Sequence, residues 1–148
     1  MIRIAERSDL EQIIELLKGF RAESPLPALK DSNDEEYVKK QLDHVFAGAG
    51  RIWLYERDQS AQGLIIGLIN RSFWHPGVLY MNELAFWVKP EYRQSRAGWH
   101  LLKAYTDWGY ELKQKNRISF FVVTKMVNSP DLRYERYGYT KLEENWRA

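Results

Sequence analysis

The sequence predicts a mixed α/β (α+β) fold: a mostly antiparallel central sheet flanked by helices, in the order β-α-α-β-β-β-α-β-α-β. Three observations carry the prediction. Between Ile52 and Val88, strand-like runs follow one another across short turns, the pattern of an antiparallel meander. Two stretches before them, Leu10–Leu17 and Val38–Phe46, repeat apolar residues at helical spacing. After them, Leu84–Val88 passes through Pro90 and a basic turn into a long helical stripe, the one clear crossover to a parallel neighbour. Strands and helices do not alternate strictly, which excludes a doubly wound sheet.

Ile2-Arg3-Ile4 alternates as a short first strand. Ser8 with Glu11 forms a capping box, and Leu10, Ile13, Ile14 and Leu17 give the first helix its apolar stripe. Two prolines and small polar residues make Phe20 to Asn33 a loop with room for one helical turn. Ser32 and Glu35 cap a second helix, buried through Val38, Leu42, Val45 and Phe46 and stopped by Gly48 to Gly50. Ile52 to Tyr55 is a strand, Arg57 to Gln62 a polar turn, and Gly63 to Asn70 a nearly continuous apolar strand suited to a central position. His75-Pro76-Gly77 turns the chain into a strand from about Val78. Leu101, Leu102, Tyr105, Trp108 and Leu112 share one face of a helix from about Ala97 to Lys115. Ile118 to Val123 is a buried strand. Ser129-Pro130 starts a last helix that Gly138 stops, and Tyr139 to Trp146 alternates as a final strand.

The 148 residues read as one domain, 1–148, without repeats or linkers. With no cysteine, a disulfide framework, a thiolate metal site and a cysteine nucleophile are excluded. His44, His75 and His100 are dispersed over different elements, so no metal site is expected. A formal charge of +2 in scattered residues argues against a nucleic-acid partner. No signal-like segment or membrane-length apolar run stands in the sequence, so the expectation is a cytoplasmic protein with no membrane partner.

The most informative stretch is Met81–Leu102, MNELAFWVKPEYRQSRAGWHLL. Pro90 has no N–H for a ladder and ends the strand; the basic, glycine-containing turn then feeds a helix N-terminus. Such a junction presents backbone N–H groups and a positive dipole end to a phosphate. Val88-x-Pro90-Glu91-Tyr92-Arg93-x-x-Arg96-x-Gly98 resembles the acetyl-CoA signature of the GNAT superfamily of N-acetyltransferases, with Arg96 in place of the signature's first glycine. Tyr134-Glu135-Arg136-Tyr137-Gly138-Tyr139 is similar to the family's second motif, and the two motifs fall in the family's order.

The resemblance implies a GNAT-like fold and acetyl-CoA as acetyl donor, with no metal. It implies a cofactor site built from the backbone of Phe86 and Val88 and from Arg93, Gln94, Ser95, Arg96, Ala97, Gly98 and Trp99. Glu83, near the start of the central strand, is the implied base, and its alternative reading is a strand-end glutamate paired with a cation. Tyr134 is the implied acid, its alternative a packing residue like Tyr137 and Tyr139. Asn82 points to the opposite face from Glu83. Asn128 stands six residues before Tyr134, one short of the family's pantetheine-binding asparagine. The Phe20–Asn33 connection borders the acceptor cleft in the GNAT arrangement, which would let Glu23 and Ser24 contact a substrate, while by themselves they read as a solvated loop.

The leading expectation is an N-acetyltransferase acting by direct attack in a ternary complex. Its acceptor is a primary amine: a protein lysine, an N-terminus, or a small amine such as an aminoglycoside or polyamine. A non-catalytic GNAT-fold module that binds another protein is the alternative. A nucleic-acid binder using Arg117 to Phe121 ranks last, since those residues read better as a buried strand. A homodimer stays open.

Overall fold

A computed structural model describes all 148 residues. Its five-stranded sheet has the order β1-β2-β3-β4-β5, with β1 at Ile2–Ile4, β2 at Gly50–Arg57, β3 at Ser60–Arg71, β4 at Leu79–Val88 and β5 at Phe120–Phe121. The first four strands pair antiparallel and β5 joins β4 in parallel. Strands β2 and β3 are longer than their apolar cores suggest. They meet at Asp58 and Gln59, both at positive φ, the twist that a two-residue hairpin turn requires.

Helix α1 spans Leu10–Ala22, the short α2 Pro27–Lys30, α3 Glu35–His44 and α4 Ala97–Gln114. The sheet separates two cores. On one face Ile13, Ile14 and Leu16 of α1 and Leu42 of α3 pack on Leu54, Leu64 and Ile66. On the other, Leu101, Tyr105 and Leu112 of α4 pack on Trp53, Ile65 and Met81. Gly19 lets α1 lie directly on β4, since a Cβ there would stand 2.1 Å from the Trp87 ring.

Four local expectations are corrected. Asp9, not Ser8, stands at the start of α1, after a 3-10 turn at Arg7–Asp9, and its carboxylate accepts from the Glu6 N–H at 2.8 Å. Asp34, not Ser32, caps α3, accepting from the Tyr37 N–H at 3.0 Å, while the Ser32 hydroxyl donates to the Leu29 carbonyl. No helix starts at Ser129-Pro130: Asp131 accepts from the Arg133 N–H at 2.8 Å and Arg133 turns left-handed, leaving one 3-10 turn at Tyr134–Tyr137. The expected strand from Tyr139 to Trp146 is absent, because β5 pairs over two residues and offers no edge to support a ladder.

Asp9 is only 6% exposed, and Arg3 grips both its oxygens at 2.8 Å while also pairing with Glu56. The Arg3 hydrogen bond holds Asp9 below the usual carboxylate range. Arg3→Met is expected to lower stability by about 1–3 kcal/mol, since a buried carboxylate loses its guanidinium partner. Asp9's contribution is present above its unfolded pKa of about 3.9 and is lost as pH falls through the depressed folded value. The gap between wild type and variant in urea melts should therefore be wide near neutral pH and narrow in acid. An equal gap at both would show that the pair is not its source.

Candidate active site

One cleft of about 900 Å³ runs between β4, helices α1 and α3, the turn before α4, and the segment from Thr124 to Tyr134. It exists because β4 and β5 part. They pair only at Tyr80 with Phe120 and Met81 with Phe121, and the last bond between them runs from the Val122 N–H to the Met81 carbonyl at 2.9 Å. Beyond Met81 the outer edge of β4 has no strand beside it.

A β-bulge sets what β4 shows to the cleft. Ile66 pairs with Ala85 and Gly67 with Glu83, so Leu84 is the extra residue. Glu83 consequently shares a face with Met81, Phe86 and Val88, toward α4, while Asn82 lies on the other face, hydrogen-bonded to Asn70. Burial pushes the Glu83 carboxyl up to about 8, against a backbone hydrogen bond from Thr124. Tyr134 lines the same cleft, with its phenol pushed up to about 12 by burial and then by the charge of Glu83. It keeps its proton throughout the neutral range.

At the other end of the open edge, the N–H groups of Gln94, Arg96, Gly98 and Trp99 find no acceptor within the chain, whereas Ala97 N–H is taken by the Ser95 hydroxyl at 3.2 Å. Arg96 adopts φ −86° and ψ 14°, angles open to any residue, and its side chain is exposed. A Cβ at Gly98 would fit without a clash, in ordinary contact with Leu132 at 3.7 Å and Phe86 at 3.9 Å.

Of the residues singled out from the sequence, Glu83, Phe86, Val88, Arg93, Ser95, Gly98, Trp99 and Tyr134 line the cleft. Gln94 and Arg96 lie exposed beside it, and the Ala97 side chain is buried in the core. Arg93 is turned away from the row of N–H groups. Its Nε donates to the Val88 carbonyl at 2.8 Å, and Nη2 reaches both oxygens of Glu23 at 2.8 and 2.7 Å. Trp87 Nε1 donates to the same carboxylate at 2.9 Å, and Asn128 Nδ2 to the Glu23 carbonyl at 2.9 Å. Burial pushes the Glu23 carboxyl up, but the Arg93 and Trp87 hydrogen bonds hold it below the usual range. Glu23 is thus a clasp between the end of α1, the end of β4 and the loop after β5, and the solvated-loop reading of this residue is corrected. Nothing local in the sequence marks it, since its partners are 64 to 105 residues away.

A mostly antiparallel sheet that parts beside a bulged fourth strand, with a helix N-terminus at the mouth, defines the class. The Acetyltransferase (GNAT) family model matches residues 11–139, and the chain belongs to that family. The fold is shared with a GCN5-related N-acetyltransferase from Ralstonia eutropha, at TM-score 0.76 and 20% identity over 100% of this chain and 97% of that one. It is shared with a GNAT family acetyltransferase of Staphylococcus aureus, at TM-score 0.64 and 18% identity over 100% and 96%. An aminoglycoside 6′-N-acetyltransferase from Acinetobacter haemolyticus has the same architecture, at TM-score 0.70 and 14% identity over 100% and 96%. No curated protein matches the sequence. No cluster of His, Asp or Glu gathers as metal ligands, and no helix is long and apolar enough to cross a membrane.

Proposed function

We propose that the protein transfers an acetyl group from acetyl-CoA to a primary amine, by direct attack in a ternary complex. One observation carries the reading: a carboxyl shifted to about 8 and a protonated phenol face one cleft beside an unpaired strand edge. The residues fit the donor. The β4 edge offers the backbone groups of Phe86 and the N–H of Val88 to pantetheine amides as an added strand would, the Val88 carbonyl already accepting from Arg93. The free N–H groups at Gln94, Arg96, Gly98 and Trp99 offer a cradle to a pyrophosphate, and Gly98 has no side chain to hold it off.

Acetyl-CoA, when bound, supplies the activated thioester. Glu83 would take a proton from the acceptor's ammonium, directly or through water, and the free amine so formed would attack the thioester carbon. The Tyr134 hydroxyl would give its proton to the sulfur as the C–S bond breaks and take up the second proton of the nitrogen, so that the products are an amide, a free thiol and a protonated Glu83, which returns its proton to solvent. Burial favours both roles: it raises the Glu83 carboxyl toward the working pH and keeps Tyr134 protonated. Binding of acetyl-CoA measured by calorimetry, followed by thiol release over a panel of amines, tests the reading. Absence of binding would turn the protein into a GNAT-fold module without transfer.

Arg96 belongs to this reading as a phosphate ligand. Its ordinary backbone angles remove the need for glycine, and its exposed guanidinium suits a phosphate bidentately. Arg96→Ala is expected to weaken acetyl-CoA about ten- to a hundredfold, as loss of roughly 1.5–3 kcal/mol of charge-assisted hydrogen bonding implies. Binding should also become less sensitive to salt, with kcat at saturation little changed. Tighter binding in the variant would show that the arginine obstructs the cradle.

A further inference from the structure

We propose that the acceptor is an α-amine on an apolar body that also carries a carboxylate, an amino acid or very short peptide, and that Arg21 is the counter-ion of that carboxylate. This specifies the second substrate of the transferase reading and rests on it.

Arg21 sits in the last turn of α1, half-buried, with its side chain on the cleft. None of the chain's ion pairs includes it. The other two cations lining the cleft are neutralised: Lys18 lies 3.1 Å from Glu15 and 3.7 Å from Glu35, and Arg93 lies 2.7 Å from Glu23. The three carboxyls on the walls are Glu23, Glu35 and Glu83. Glu23 is engaged with Arg93, Glu35 shares Lys18 with the nearer Glu15, and burial keeps most of Glu83 protonated at neutral pH. Arg21 is therefore the one cation of the cleft with no carboxylate partner in the chain, while Glu35 has only a share of Lys18.

A polyamine or aminoglycoside brings several ammonium groups and would find only Glu35, at the α3 end and already sharing Lys18, to receive them, with Arg21 repelling the rest. A carboxylate, by contrast, would give the half-buried guanidinium the planar, two-pronged partner it lacks. The walls on the α1 and α3 side, Leu17, Phe20, Val38, Leu42, Val45 and Leu68, suit an apolar side chain. Proton transfer points the same way. A base near 8 matches the α-ammonium of a short peptide, at about 7.7–8.0, and is weak against a lysine at about 10.4; a free amino acid, whose carboxylate holds the ammonium proton more tightly, is the harder acceptor of the two proposed.

The test compares thiol release from acetyl-CoA with leucine, phenylalanine and leucyl-glycine against isopentylamine, phenethylamine, spermidine and kanamycin. Carboxylate-bearing acceptors should be preferred, and Arg21→Met should reduce the kcat/KM ratio of leucine over isopentylamine by about tenfold or more. Arg21→Lys, which keeps the charge, should retain part of the preference, and melting curves of both variants check that they fold. A wild-type preference for spermidine or kanamycin, or an unchanged ratio in folded Arg21→Met, overturns the proposal while leaving the transferase reading intact. Acetyl-CoA binding without release to any amine overturns both the acceptor class and the assigned catalytic roles. Absence of acetyl-CoA binding removes the transferase reading itself.

Discussion

Tyr134→Phe is expected to slow thiol release by about 10²- to 10⁴-fold, the usual range for loss of a positioned acid. Acetyl-CoA affinity and the melting temperature should stay near wild type. The substitution keeps the ring, including its edge-to-face packing on Tyr139 at 6.3 Å, and removes only a hydroxyl. That hydroxyl makes no hydrogen bond within the chain, and no buried side-chain polar atom lacks a partner, so its loss strands nothing. A lowered melting temperature with unchanged turnover per folded molecule would make Tyr134 a packing residue.

Glu83→Gln is expected to move activity and stability in opposite directions. As base, Glu83 is active when ionised, so wild-type turnover should rise with pH through about 8 and level off above it. The variant should lack this inflection, and its deficit should shrink at high pH as more acceptor is already deprotonated. Stability has the reverse sign. The folded pKa lies above the unfolded value of about 4.3, so the fold binds the extra proton between the two and loses stability as pH rises across that window. Glutamine removes this burden, so the variant should melt higher than wild type above about pH 8. Full activity at neutral pH would remove Glu83 from the mechanism. A glutamate that merely pairs with a cation at a strand end would instead melt lower on replacement.

The local parts of this architecture were legible in the sequence because their signals are local. Pro90 ends β4 where no ladder can continue, and the helical stripe from Leu101 to Leu112 packs as its spacing predicts. The site was legible in composition more than in geometry. Strict alternation back from Val88 would put Glu83 with Ala85 and Trp87, on the α1 face. The bulge at Leu84 moves it to the face of Phe86 and Val88, and a single extra residue leaves no mark in an apolar run. Arg93 matches a motif, yet its side chain answers to Glu23, a partner 70 residues away. At the C-terminal end, Ser129-Pro130 and the alternation from Tyr139 signal elements that lose to an Asp131 turn and to the shortness of β5.

The Glu23 clasp joins the end of the helix that carries Arg21 to the turn that opens onto α4. The two substrates of the proposed reaction would therefore meet opposite ends of one hydrogen-bonded unit. Any ligand that favours one arrangement of that unit alters the affinity of the other by a fixed factor, and the factor is the same whichever binds first.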